Sequence, residues 1–239
     1  MSHYLHTQAM TLNRRPYRED DRFFTFYTRN YGKISAVVHG GQKIKSKIAP
    51  HLEPFHLVDL SLVNVNQYKV IGAEIIKRHD SIQSHYHAIQ SSQYYLSLVD
   101  KLTSESHPDV RVFGLLTDAL ELLNNNPRLP EIYLRFIDSH FIFTLLSYLG
   151  YRPQIEICTR CKRKIIPSEK NKFLIPQGLM ACEKCAVKYE GAVLNKYLYD
   201  VLFFCLTRNI REILKKSYPN DTIKNLFQIA LQYTNYHGN

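Results

Sequence analysis

The hydrophobic pattern of this chain changes period once, near residue 79. Upstream of that point apolar residues come in short runs closed by turn signals. Phe23-Phe24-Thr25-Phe26-Tyr27-Thr28 is aromatic and β-favouring, and it stops at Asn30-Tyr31-Gly32. Lys33–Val38 is closed by Gly40-Gly41. Phe55–Val65 alternates apolar with polar for part of its length, and Tyr68–Ile76 follows a turn carrying Asn64 and Asn66. With Thr7–Leu12 these segments predict five strands. Five short strands joined by turns suit a small closed barrel, and their spacing fits an OB-type barrel and an SH3-like one equally.

Downstream, Asp80-Ser81 is a good N-cap pair, and Ile82, Tyr86, Ile89, Leu96, Val99 and Leu102 then recur at helical spacing. Pro108-Asp109 starts a second helix, with Phe113, Leu116, Leu120 and Leu123 on one face and Asn124-Asn125-Asn126-Pro127 at its end. Pro130 suits the first turn of a third helix, which runs to about Leu149 and stops at Gly150. Leu194–Thr207 is apolar on most sides, Asn209–Lys216 is a short helix, and Pro219-Asn220-Asp221 opens a last one. The fold class expected is therefore α+β. A five-stranded barrel over residues 1–79 precedes a helical bundle over 80–150 and 187–239, with residues 151–186 inserted in it. Helices on both sides of the insertion are expected to pack together.

The insertion carries the strongest chemical signal. Cys158-Thr159-Arg160-Cys161 and Cys182-Glu183-Lys184-Cys185 are two C-x2-C pairs twenty residues apart. Each pair can sit on a tight turn, and two such turns facing each other bring four thiolates to one tetrahedral point. Between them, Lys170–Ile175 reads as a strand and Pro176-Gln177-Gly178 as a turn, so the segment can double back. One structural Zn2+ per chain, held by Cys158, Cys161, Cys182 and Cys185, is the expected cofactor. The neighbours Arg160, Lys162, Arg163, Lys164, Glu183 and Lys184 are too charged for a core of buried thiols. Neither pair opens a helix after a strand in a βαβ setting, as redox CxxC chemistry requires.

Cysteine usage gives no sign of a disulfide framework, which points to a reducing compartment, and Cys205 reads as a small core residue. The start of the chain lacks a basic region followed by an apolar core, and Phe141–Leu149 is too short to span a bilayer. A cytoplasmic, nucleoid-associated protein without a membrane partner is the expectation. The formal net charge is +10, which favours a polyanionic partner, nucleic acid before an acidic membrane. Where the charges sit decides how much that means. Arg14, Arg15, Arg18 and Arg22 flank the first turn, partly offset by Glu19, Asp20 and Asp21. Lys43, Lys45 and Lys47 alternate in the next loop with no acid beside them, so in an extended loop they would face one way, along a phosphate backbone. Tyr17, Phe23 and Tyr31 lie nearby and are expected mostly to fill the core.

Catalytic motifs are missing. There is no G-x-x-x-x-G-K-[ST], H-E-x-x-H or G-x-S-x-G. A zinc deaminase needs H-x-E ahead of P-C-x-x-C, and neither cysteine pair here follows a proline. A four-thiolate site is closed, with no position left for water or substrate. His79, His85 and His87 read as surface or partly satisfied histidines. The residues therefore favour a non-enzymatic DNA-binding protein, with a zinc-stabilised protein-interaction scaffold without direct DNA binding as the alternative.

Several segments resemble the bacterial recombination mediator family RecO along nearly the whole chain. They are Arg14-Arg15-Pro16-Tyr17-Arg18-Glu19 with Phe24–Thr28 and Gly32-Lys33, Gly40-Gly41 followed by Lys43 and Ser46, and Leu52-Glu53-Pro54-Phe55. The narrowest signature is Leu149-Gly150-Tyr151-Arg152-Pro153 leading into Cys158, followed by Gly178-Leu179 leading into Cys182. The resemblance implies an OB barrel, a helical domain and a zinc module inserted in it. It implies binding to single- and double-stranded DNA, annealing of complementary strands, and help in loading the recombinase RecA onto strands coated by single-strand-binding protein (SSB). It also implies partnership with RecR, docking of the SSB C-terminal tail, and indirect links to RecF and RecA. DNA contacts are expected at Arg14, Arg15, Arg18, Arg22, Lys43, Lys45 and Lys47 on the barrel, and at Arg160, Lys162, Arg163 and Lys164 on the zinc module. Lys162 stands where the family commonly has glycine, so a differently shaped knuckle is expected there.

Overall fold

The computed structural model describes residues 3–238. The amino-terminal strands are β1 (His3–Tyr17), β2 (Asp21–Thr28), β3 (Gly32–Val38), β4 (Leu57–Asn64) and β5 (Tyr68–Lys77), with a 3-10 turn at Ala49–Leu52 before β4. They close into a barrel in the order β1-β2-β3-β5-β4. All pairings are antiparallel except β3 with β5, which run parallel through Ala36 opposite Tyr68 and Val37 opposite Lys69. This is OB connectivity, and it removes the SH3-like alternative.

The barrel closes because alternate residues of each strand are apolar and point inward. Phe24 and Phe26 of β2, Ile34, Ala36 and Val38 of β3, and Val58, Leu60 and Leu62 of β4 form one buried cluster. Tyr31 packs against that cluster, as expected, whereas Tyr17 and Phe23 lie outside it. β1 is much longer than the Thr7–Leu12 run suggests. Its polar half continues past a bulge between Thr11 and Asn13, pairing Asn13 through Tyr17 with Thr25 through Asp21. Arg14 and Arg15 therefore belong to a strand, and the turn proper is Arg18-Glu19-Asp20.

Three helices follow: α1 (Asp80–Gln83), α2 (Tyr86–Leu102) and α3 (Val110–Asn125). Asp109 caps α3, accepting from the Arg111 backbone N–H at 2.8 Å. His79 is buried rather than at the surface, with its Nδ1 2.6 Å from the Phe55 carbonyl oxygen. The described chain divides into two compact units, the first ending at Arg128 and the second beginning at Leu129. α1, α2 and α3 thus fall in the unit that contains the barrel, with α2 packed on α3 and β1. The expected boundary near residue 79 marks a change of secondary structure, and the compact units part some fifty residues later.

The second unit contains α4 (Glu131–Tyr148), β6 (Gln154–Cys158), β7 (Lys172–Leu174), β8 (Leu179–Ala181), α5 (Glu183–Ala186), β9 (Ala192–Val193), α6 (Lys196–Thr207) and α7 (Asn220–His237). A 3-10 turn at Ile210–Lys215 joins α6 to α7. α4, from before the cysteines, packs on α6 and α7, from after them. Phe136, Phe141, Phe143, Leu202, Leu226 and Tyr233 are buried in this unit. The short strands order β6-β8-β7-β9 in one small sheet.

Candidate functional site

The four cysteine sulfurs converge. Those of Cys158, Cys161, Cys182 and Cys185 all lie within 4.8 Å of one another, and the Cys161 and Cys182 sulfurs are 3.7 Å apart. A tetrahedron of metal–sulfur bonds about 2.3 Å long has edges of about 3.8 Å, so the donor set fits a tetrahedral cation. Two turns produce this arrangement. Cys158 ends β6, and the chain folds back so that the Lys162 N–H donates to the Cys158 carbonyl at 3.0 Å. Cys182 sits at the start of α5, where its carbonyl accepts from the backbone N–H groups of Cys185 and Ala186, each at 2.8 Å.

The first knuckle also favours thiolate. Burial pushes the Cys158 thiol up, but backbone N–H groups of Cys161, Cys182 and Arg160 outweigh it and bring the pKa down to about 6. Cys161 is lowered by the Arg163 backbone N–H and then by the Arg163 guanidinium. Cys185 is pushed up to about 12 by burial and by its three sulfur neighbours. Four thiolates at this separation repel one another, and a divalent cation at their centre offsets that repulsion. With all four positions taken by sulfur, such a cation would brace the two turns and leave no site for substrate.

The signature Leu149-Gly150-Tyr151-Arg152-Pro153 fastens this module to the helices of its own unit. The Tyr151 N–H donates to the Leu146 carbonyl at 2.8 Å, and the Tyr151 ring stacks on His237 at 4.8 Å. Tyr233 donates its hydroxyl to the Tyr151 carbonyl at 2.9 Å. Arg152 donates to the Leu206 carbonyl at 3.0 Å. Gly178 has φ +67 and lies against the Tyr233 hydroxyl, leaving no room for a side chain. Lys162 also adopts the left-handed conformation, with φ 58. Lysine is held there in a backbone geometry that glycine adopts more readily.

Around the sulfurs, Arg160, Lys162 and Lys164 are exposed, and among the described residues they have no salt-bridge partner. Arg163 differs, since its guanidinium hydrogen-bonds the Cys161 sulfur.

The barrel carries a second set of charges. The turn Arg18-Glu19-Asp20 and the loop following β3 are tied into one surface. The Gln42 side-chain amide donates to the carbonyl oxygens of Arg18, Glu19 and Asp21 at 3.1, 3.3 and 2.8 Å, and the Gln42 backbone N–H donates to the Asp20 carbonyl at 2.8 Å. Asp21 accepts from the Gly40 N–H at 2.9 Å and meets His39 Nδ1 at 3.0 Å. The Gly40 bond, ahead of His39, holds the Asp21 carboxyl below its usual range. Asp20 pairs with Lys43 at 2.8 Å. Lys43 therefore does have an acid beside it, supplied by the neighbouring turn. The loop is not extended either. Lys43 N–H to the Gly40 carbonyl and Ser46 N–H to the Lys43 carbonyl, both 3.0 Å, coil it into successive turns. Arg14 is bonded to Glu53. Arg15, Arg18, Arg22, Lys45 and Lys47 have no salt-bridge partner among the described residues, and all but the half-buried Arg22 are exposed. Gln42 and the anchoring role of Asp21 escape a reading of sequence alone, because their partners are about twenty residues away.

No helix of the described residues is long and apolar enough to cross a membrane. Two family models match the chain, one described as Recombination protein O N terminal over residues 1–78 and one as Recombination protein O C terminal over residues 83–239. The chain belongs to the RecO family. Relatives of that family include the DNA repair protein RecO of Geobacter metallireducens, 31% identical over 188 residues that make up 78% of this chain and 74% of the relative. The DNA repair protein RecO of Thermodesulfovibrio yellowstonii is 29% identical over 88% of this chain and 79% of its own length. That of Alkaliphilus metalliredigens is 26% identical over 97% and 92%. The break between the two RecO family models falls at residues 79–82, where the hydrophobic period changes.

Proposed function

We propose that this chain is a non-enzymatic, DNA-binding mediator of recombinational repair. It anneals complementary strands and helps load recombinase on SSB-coated single-stranded DNA. The observation that carries this reading is the basic end of the barrel, where Arg18, Lys45 and Lys47 stand without salt-bridge partners on two loops that Gln42 binds together, beside Arg15 and Arg22 on the adjoining strands. Cations fixed in this way replace condensed counterions along a phosphate backbone, and the released ions drive binding without nucleotide hydrolysis. Arg160, Lys162 and Lys164 give the same chain a second basic module. With two strands neutralised, the repulsion opposing their pairing falls. The reaction then needs no catalytic group, in keeping with a cysteine site that has no open position.

The cation in the cysteine site is Zn2+, whose preference for four thiolates in tetrahedral array fits the sulfur spacing. Family membership supports RecR, the SSB tail, and indirectly RecF and RecA as partners. Annealing of complementary strands coated with SSB tests the reading. The full chain should accelerate pairing in the absence of ATP. No acceleration would remove the annealing role, and no binding to labelled DNA at low salt would leave only a protein scaffold.

A further inference from the structure

We infer that Tyr17 and Phe23 form a stacking site for an unpaired nucleobase, so that the basic end of the barrel senses strandedness as well as charge. The inference rests on the preceding reading that this surface meets DNA, and adds a ligand contact to it. Tyr17 ends β1 and Phe23 lies near the start of β2, opposite Arg15 on one side and Val37 on the other. Their ring centroids are 5.8 Å apart at an angle of 51°. Both rings are half-buried and belong to no part of the barrel core. Each is instead covered by a cation. The Arg15 guanidinium carbon is 4.8 Å from the Phe23 centroid, and that of Arg18 is 5.1 Å from the Tyr17 centroid.

A guanidinium is a planar cation, and a ring face that accepts one also accepts the flat face of a base. The base either continues the stack on the guanidinium or displaces it toward a phosphate. The Arg18 backbone, with φ 53, is held in the turn that Gln42 clamps, so the cation and the ring beneath it are presented together. A duplex keeps its base faces stacked on one another, so only a single strand can use this site. The plainer role, with Phe23 beside Val37 and the two rings steadying the hairpin, involves no base at all.

An abasic strand separates the two roles, since it carries the same phosphates and no bases. Anisotropy titrations of the full chain at one salt concentration would compare a thymidine oligonucleotide with an abasic oligonucleotide of equal length. They would be repeated for Tyr17→Leu and Phe23→Leu, which keep apolar volume at each position but lack a π face. The expected result is a preference of the unaltered chain for the thymidine strand by about fivefold or more, falling toward one in the leucine variants. Equal binding of both strands by the unaltered chain overturns the inference, as does an undiminished preference in the variants. Should the variants fail to fold, photocrosslinking of a 5-iodouracil strand to the unaltered chain decides it. An adduct on Tyr17 or Phe23 supports the site, and adducts on neither overturn it. Failure of both strands to bind overturns the DNA reading itself, and this inference with it.

Discussion

In the barrel, the turn that displays Arg18 keeps its shape through protein hydrogen bonds, from the Gln42 amide to three carbonyl oxygens and from the Gly40 N–H to Asp21. In the cysteine module, the turn that displays Arg160 and Lys162 keeps its shape around sulfur, with N–H groups aimed at Cys158 and four thiols converging. Both place cations on a tight turn at the end of a strand. The first is complete within the polypeptide, with Asp21 acting as a strut and Asp20 pairing with Lys43. The second needs a cation to offset its own sulfurs. Two basic surfaces of one chain should therefore answer differently to chemical challenge.

The largest difference should follow removal of the metal. Apparent binding energy at such sites is on the order of 10 kcal/mol, far more than a small module can lose and stay folded. A strong chelator should abolish amide-exchange protection over residues 154–186 while strands β1 to β5 keep theirs. Equal protection of both regions after chelation, with metal analysis showing none bound, would erase the contrast.

Acid should come next. His140 is buried between α4 and the Arg208 carbonyl, which its Nε2 meets at 2.8 Å, and burial lowers its pKa to about 4. An unfolded histidine titrates near 6.5, so between these values only the unfolded chain gains the proton. The stability this neutral ring contributes is complete above about pH 6.5 and is lost as pH falls toward 4, by about 3 kcal/mol. Burial also lowers His56 and His79 in the first unit. Urea unfolding at pH 7 and pH 5, followed separately in each unit by exchange, checks whether the second unit weakens more.

Charge reversal at Lys45 and Lys47 touches only the barrel surface. Binding to all sequences should weaken alike, and the salt slope should fall by about 1 for each phosphate no longer neutralised. The smallest effect expected is that of Lys162→Gly. Relief of a left-handed lysine should stabilise the metal-loaded module by about 1 kcal/mol, read as a higher chelator concentration at its unfolding midpoint.

Much of this contrast can be read from residue order, for a local reason. Cys158, Cys161, Cys182 and Cys185 declare themselves because each pair acts within one turn, and the ligand chemistry fixes the spacing. Strands β2 and β3 show as short β-favouring runs closed by the turn signals Asn30-Tyr31-Gly32 and Gly40-Gly41. What stays hidden depends on contacts between distant segments. Closure through the parallel pairing of Ala36 and Val37 with Tyr68 and Lys69 separates an OB barrel from its alternatives, and strand spacing does not encode it. The polar stretch Asn13–Tyr17 reads as a turn until β2 pairs with it. Lys43 reads as free of acids until a hairpin brings up Asp20. α2 and α3 have helical periodicity like the later helices, but periodicity does not say which core a helix joins.

The proposed function requires above all that fixed positive charge on these turns meets phosphate. The most direct test is the dependence of DNA affinity on salt, plotted as log K against log salt for the metal-loaded chain and a single strand. A straight line falling by about 0.7 for each phosphate neutralised, and becoming shallower when Lys45 and Lys47 are reversed, is the result predicted. A line that stays level across the salt range would contradict it.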